Sequence, residues 1–157
     1  MYEKWKSRAF PYKIRTKCEH IFFTPREGGR MEETMQNEYE LKKLMCDIGK
    51  RIYDRNMVAA NDGNISVKLN DNEFLCTPTG VSKGFMTPDF ICKVDAQGNV
   101  IQANKGFRPS SEIKMHMRVY QKRPDVGAVV HAHPTFATSF AIAGIPLTQP
   151  IMPEAVI

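Results

Sequence analysis

The stretch Val126-Gly-Ala-Val-Val-His-Ala-His-Pro134 constrains this chain more than any other part of it. Gly127 to Val130 are small or apolar and read as a short buried strand that delivers His131 and His133 at its end. Strand side chains alternate faces, so residues two apart point the same way and both imidazoles should face one side. Neutral imidazole is the commonest side-chain ligand for transition metals, and two on one face supply half of a tetrahedral zinc site. Either ring could equally be a hydrogen-bonded wall residue. Pro134 then ends the ladder and is tolerated in the first turn of a following helix.

The segments on either side of this stretch supply helices and short strands. Asn37 followed by Glu40 has the Asn-x-x-Glu form of a helix start. Leu41, Leu44, Met45, Ile48 and Ile52 then recur at three- and four-residue steps, marking the buried stripe of a helix that ends near Asn56. Strands are expected over Ile65–Leu69 and Glu73–Cys76 around the turn Asn70-Asp71-Asn72, and over Ile91–Val94 and Val100–Ile101 around Asp95–Asn99. Ser110 or Ser111 can cap a helix running to about Gln121, which Arg123-Pro124-Asp125 breaks before the histidine strand. A last helix, Thr135 to Ala143, stops at Gly144. Hairpins with one helix-to-strand crossing predict a mixed sheet covered by helices.

With 157 residues, 42% of them hydrophobic and 25% charged, the chain has the size and composition of one globular domain. No apolar run approaches the roughly 18 residues that a bilayer span needs, and the start lacks the apolar stretch of a signal peptide. The expected location is the cytoplasm, with Cys18, Cys46, Cys76 and Cys92 as reduced thiols. The net charge of +5 belongs entirely to residues 1–30, which hold eight Lys or Arg against three Asp or Glu; the rest is balanced at fourteen of each. Pro11, Pro25, Gly28 and Gly29 interrupt that basic segment. It reads as a poorly ordered extension, or as translation begun upstream of Met31 or Met35, rather than as a nucleic-acid arm.

Three small, polar, glycine- or serine-rich segments precede the histidines. Asn61-Asp62-Gly63-Asn64-Ile65-Ser66 lies between the first helix and the first strand, Thr77-Pro78-Thr79-Gly80 follows the second strand, and Pro109-Ser110-Ser111 opens a helix. Glycine lets backbone amides approach a ligand closely, and a helix N-terminus attracts anions. Together these segments could ring a phosphate, with Lys68, Lys83 or Lys105 as counter-charges. Taken singly, each glycine could simply permit a turn and each serine cap a helix. Glu112 stands in the first turn of that helix, as a capping carboxylate or as a general base tuned by burial and a neighbouring metal. His116, four residues on, shares its face and is read as a structural hydrogen-bonding residue.

Gly-Asn-x-Ser at 63–66, Thr-Pro-Thr-Gly at 77–80, Ser-Ser-Glu at 110–112 and Val-Val-His-Ala-His at 129–133 stand in the order and spacing of the class II aldolase/adducin family, which the chain resembles from about Met35 to Ile157. The resemblance implies a three-layer α/β/α sandwich with a mixed central sheet, spanning residues 31–157 and incomplete at its C-terminal end, assembled as a homotetramer with active sites at subunit interfaces. It implies one Zn²⁺ per subunit. His131 and His133 match the metal ligands, and Glu112 matches the catalytic carboxylate and joins them as a metal-ligand candidate. Asn64, Thr79, Gly80, Ser110 and Ser111 match the positions that hold a substrate phosphate. The implied reaction is that of the branch cleaving ketose 1-phosphates such as L-fuculose 1-phosphate into dihydroxyacetone phosphate and an aldehyde, lactaldehyde.

This chain departs from the pattern at two points. The family draws a third histidine ligand from a later His-Gly segment, and no histidine follows His133 here; the expectation is therefore a fragment or truncated product, inactive alone. No tyrosine stands at Gln149–Pro153, where that branch places a catalytic one. Alternatives within the family are an L-ribulose-5-phosphate 4-epimerase, whose branch carries Asp in the place of Glu112, and a methylthioribulose-1-phosphate dehydratase. A non-catalytic, adducin-like interaction protein is the alternative of another kind. A sugar phosphate is the expected partner, with no nucleic acid and no membrane.

Overall fold

A computed structural model describes residues 31–146 and 148, with side chains described from Asn37 onward. Residues 25–145 fall in one compact unit. The basic segment 1–30 and the stretch Gln149–Pro153 lie outside the described residues.

Helix α1 spans Met31–Asp54. It begins six residues before the capping pattern at Asn37, which therefore lies inside the helix. Met31 to Gln36 contain no Gly or Pro to stop the helix. Strands β1 (Asn64–Lys68) and β2 (Glu73–Cys76) form a hairpin, as do β3 (Cys92–Asp95) and β4 (Val100–Gln102). Helix α2 (Ile113–Lys122), strand β5 (Ala128–His131) and helix α3 (Thr135–Ile142) complete the described order. Side chains close both turns: Asn70 Oδ1 accepts from the backbone N–H of Asn72 at 2.8 Å, and Asp95 Oδ1 accepts from those of Gln97 and Asn99 at 2.8 Å each.

The sheet order is β4-β3-β2-β1-β5, and every pairing is antiparallel. The described strands thus include none of the parallel pairing of a mixed sheet. Alternation along β2 sends neighbouring residues to two separate cores. Leu75 packs with Met45, Ile65, Met86 and Ile91 beneath α1, while Phe74 and Cys76 pack with Cys92, Val94, Ile113, Met117 and Tyr120 beneath α2. One helix on each face of the sheet gives the α/β/α layering. Burying a side chain such as Leu75 stabilises the fold by about 1.5–3 kcal/mol, and Leu75 is 0% exposed. Gly49 lets α1 lie tight on the 3-10 turn Lys83–Phe85, since a Cβ there would come 2.8 Å from the Lys83 carbonyl oxygen.

Candidate functional site

The predicted site residues meet at one end of the sheet. Asn64, the first residue of β1, stands opposite His131, the last residue of β5. Gly63 just before it has φ +72°, and a Cβ there would lie 2.5 Å from Val58 Cγ1 and 2.8 Å from the His131 carbonyl oxygen. Only glycine fits both the backbone and the gap. His133 lies beyond the end of β5, so strand alternation alone does not aim it. Its backbone N–H donates to the Met57 carbonyl at 2.9 Å, and its ring comes to 4.7 Å from that of His131, centroid to centroid, at 59°.

Backbone bonds also bring the other two segments together. The Thr79 N–H donates to Arg108 O at 2.9 Å and the Ser110 N–H to Thr77 O at 3.0 Å, around an antiparallel bridge between Pro78 and Pro109. Thr77, fully buried, accepts from the Ile65 N–H at 3.1 Å and ties this segment to β1. The expected serine cap of α2 takes a different form. Glu112 occupies the N-cap without a side-chain cap bond, and Ser110 Oγ instead accepts from the Glu112 N–H at 3.3 Å.

The result is a cleft of about 340 Å³ whose wall includes Asn64, Thr79, Gly80, Ser110, Ser111, Glu112, His131 and His133. Asp62 joins them, its Oδ2 3.8 Å from His133 Nδ1, a polar neighbour that sequence reading placed in the right loop without singling out. The lysines proposed as counter-charges do not line the cleft. Lys68 pairs with Asp71 at 2.7 Å, at the far end of β1. Lys83, 1% exposed, donates to the carbonyls of Asn61 and Val81 at 3.2 and 2.7 Å and supports the loop from behind. Burial pulls its pKa below the usual lysine value, with Asp62 opposing the shift. Lys105 is likewise absent from the lining.

Among the described residues no three His, Cys, Asp or Glu side chains come close enough together to hold a metal ion. Glu112, at the N-cap of α2, lines the cleft without completing a ligand set around His131 and His133. The two histidines fit a metal as a pair of imidazole donors, the kind of ligand zinc takes at catalytic sites. His116 lies behind them, buried, with polar partners on both ring nitrogens: Ser66 Oγ at 2.7 Å on Nδ1 and Asn64 Oδ1 on Nε2. Burial, reinforced by His131, lowers its pKa to about 4, so it is neutral at physiological pH. The structural reading of His116 agrees with this placement.

The profile of the Class II Aldolase and Adducin N-terminal domain matches residues 43–157. The chain belongs to the class II aldolase/adducin family. Among its family relatives, an L-fuculose phosphate aldolase of Methanococcus maripaludis is 39% identical over 94 residues, covering 60% of this chain and 49% of the relative. A 3-oxo-tetronate 4-phosphate decarboxylase of Haemophilus influenzae is 37% identical over 100 residues, covering 64% and 46%. The chain thus spans about half the length of these family members. The solved structure of an L-fuculose 1-phosphate aldolase from Glaciozyma antarctica PI12 superposes with a TM-score of 0.65 at 22% identity over 80% of this chain and 51% of that one, a likeness of class II aldolase fold.

Proposed function

We propose that this chain carries the greater part of the active site of a metal-dependent lyase acting on a phosphorylated ketose, of which L-fuculose 1-phosphate is the type. One observation carries the reading: two imidazoles, a carboxylate, and a ring of hydroxyl and amide donors share a single cleft. His131 and His133 would hold Zn²⁺, and the family's third histidine has no counterpart in this sequence. Bound there, the ion would supply a Lewis acid for the substrate's carbonyl and hydroxyl oxygens. Asn64, Thr79, Gly80, Ser110 and Ser111 bind the phosphate, through hydroxyls, amides and the N-terminus of α2. Contacts so far from the reacting carbons serve to hold the scissile bond in place. Glu112 moves a proton between substrate carbon and oxygen as general base and acid.

A second reading, phosphorylated β-keto acid decarboxylation, is favoured by the near-equal likeness to the Haemophilus decarboxylase. Bond cleavage in either reaction leaves negative charge on the same substrate oxygens, so the two share a site and differ in the leaving group. The complete protein is read as a homotetramer of the cytoplasm; no helix among the described residues is long and apolar enough to cross a membrane.

The deciding experiment is zinc analysis of the purified chain and of a His131→Ala, His133→Ala double variant. Activity assays on L-fuculose 1-phosphate and 3-oxo-tetronate 4-phosphate accompany it. Zinc that binds to the parent chain and not to the variant supports the assignment; zinc uptake indifferent to both substitutions overturns it. Light scattering tests the tetramer.

A further inference from the structure

From His116 a file of hydrogen bonds runs both ways. Toward the core, its Nδ1 meets Ser66 Oγ at 2.7 Å, and Ser66 Oγ meets the Tyr120 hydroxyl at 2.8 Å. Toward the cleft, its Nε2 meets Asn64 Oδ1, and the Nδ2 of that amide lies 3.3 Å from Nδ1 of His131. Period and register account for the alignment. Asn64 and Ser66 share a face of β1, His116 and Tyr120 share a face of α2, and His131 pairs with Asn64 across the strands.

A neutral imidazole has one donor and one acceptor nitrogen, so each member of such a file fixes the role of the next. With the Asn64 oxygen toward His116, the His116 Nε2–H donates to it and Nδ1 accepts from the Ser66 hydroxyl. Tyr120 donates to Ser66, and the Asn64 amide donates to Nδ1 of His131. The proton of a neutral His131 ring is then on Nε2, the one nitrogen left for a ligand, where it blocks a cation. Reversal of every bond takes a half-turn of the Asn64 amide together with a change of tautomer in both rings, one proton leaving Nε2 and one entering Nδ1 of each imidazole, with no net proton gained or lost. His131 Nδ1–H then donates to Asn64 Oδ1, the amide N–H donates to His116 Nε2, and His116 Nδ1–H donates to Ser66 Oγ. Ser66 donates to the Tyr120 oxygen, and Nε2 of His131 is bare.

We propose that Asn64, His116, Ser66 and Tyr120 form a reversible hydrogen-bond relay in which His116 is a positioning residue. Through the Asn64 amide its tautomer is coupled to that of His131, and the relay reverses when Nε2 of His131 takes a divalent cation. This rests on the function proposed above only for the identity of the cation's site. Groups that orient a metal-bound histidine through its second nitrogen change metal affinity by about 10- to 100-fold.

The test is long-range proton–nitrogen NMR of the full chain labelled in histidine, first metal-free and then saturated with Zn²⁺ alone. Metal-free, His116 and His131 should both carry the proton on Nε2. With zinc bound, the His116 proton should move to Nδ1. His116→Phe should weaken zinc binding about 10- to 100-fold. His116→Gln, whose amide still reaches Asn64, should recover most of that loss even where both variants unfold at the same lowered temperature. Zinc bound through His131 while the His116 tautomer stays unchanged, or equal affinity losses in the two variants, overturns the relay and leaves the metal site standing. No zinc uptake by the parent chain overturns both, and the zinc analysis alone reveals that case.

Discussion

Gly63 and His131 meet backbone to backbone: a Cβ on Gly63 would stand 2.8 Å from the His131 carbonyl oxygen. Gly80 shares the same φ of +72°, yet a Cβ there would meet nothing within 4 Å. Alanine at Gly80 should therefore cost only the left-handed conformation, roughly 1–2 kcal/mol. Alanine at Gly63 adds overpacking of roughly 1–3 kcal/mol. Denaturant unfolding of the two variants checks the difference; equal losses would mean the site loop gives way freely.

Acid should loosen the fold through His116. Its folded pKa is about 4 against an ordinary 6.5, so between those values the unfolded chain takes up a proton that the folded chain refuses. Stability is full above about pH 6.5, declines as pH falls toward about 4, and suffers no further loss from this group below that. The total is on the order of 3 kcal/mol. Comparing unfolding free energies at pH 7 and pH 4.5 for the parent and His116→Gln isolates the effect, and the variant should show the shallower decline.

Cys76 and Cys92 pair in register across β2 and β3, buried and free. Burial, with Cys92 adding to it, pushes the Cys76 thiol up to about 12, and burial pushes Cys46 to about 11. Thiolate is the reactive form. All three should resist a thiol reagent at pH 8 in the native state and react at once in denaturant, which a timed colorimetric assay resolves.

Leu75→Ala should destabilise the fold by about 2–5 kcal/mol, because the side chain sits fully enclosed between β2 and α1. Thermal unfolding measures it. A loss below about 1 kcal/mol would mean that α1 collapses onto the gap.

Much of this could be read from the sequence. Turn chemistry at Asn70 and Asp95 and the three- and four-residue steps of Leu41 to Ile52 set out both hairpins and the first helix within a few residues. Four short motifs picked out the residues that the fold gathers into one cleft. Most of what escaped depended on contacts distant in sequence. Asn37 looks like a cap, but nothing before it stops the helix. The strand ends at His131 because Asn64 is its partner, and His133 is then aimed by a bond to Met57, 76 residues away in the chain. Lys83 had the right charge for a phosphate, yet it spends that charge on two carbonyls behind the loop.

The rim of the cleft is joined by main-chain bonds: Thr79 to Arg108, Ser110 to Thr77, His133 to Met57. Amide groups are the same whatever side chain they carry, so a cavity-facing residue such as Thr79, bonded to the frame through its main chain, can be exchanged without loosening the frame that presents it. A scaffold held in this way separates the evolution of chemistry from the upkeep of architecture. Lineages that break different bonds in related phosphorylated compounds can therefore inherit one frame and diverge only in what projects from it.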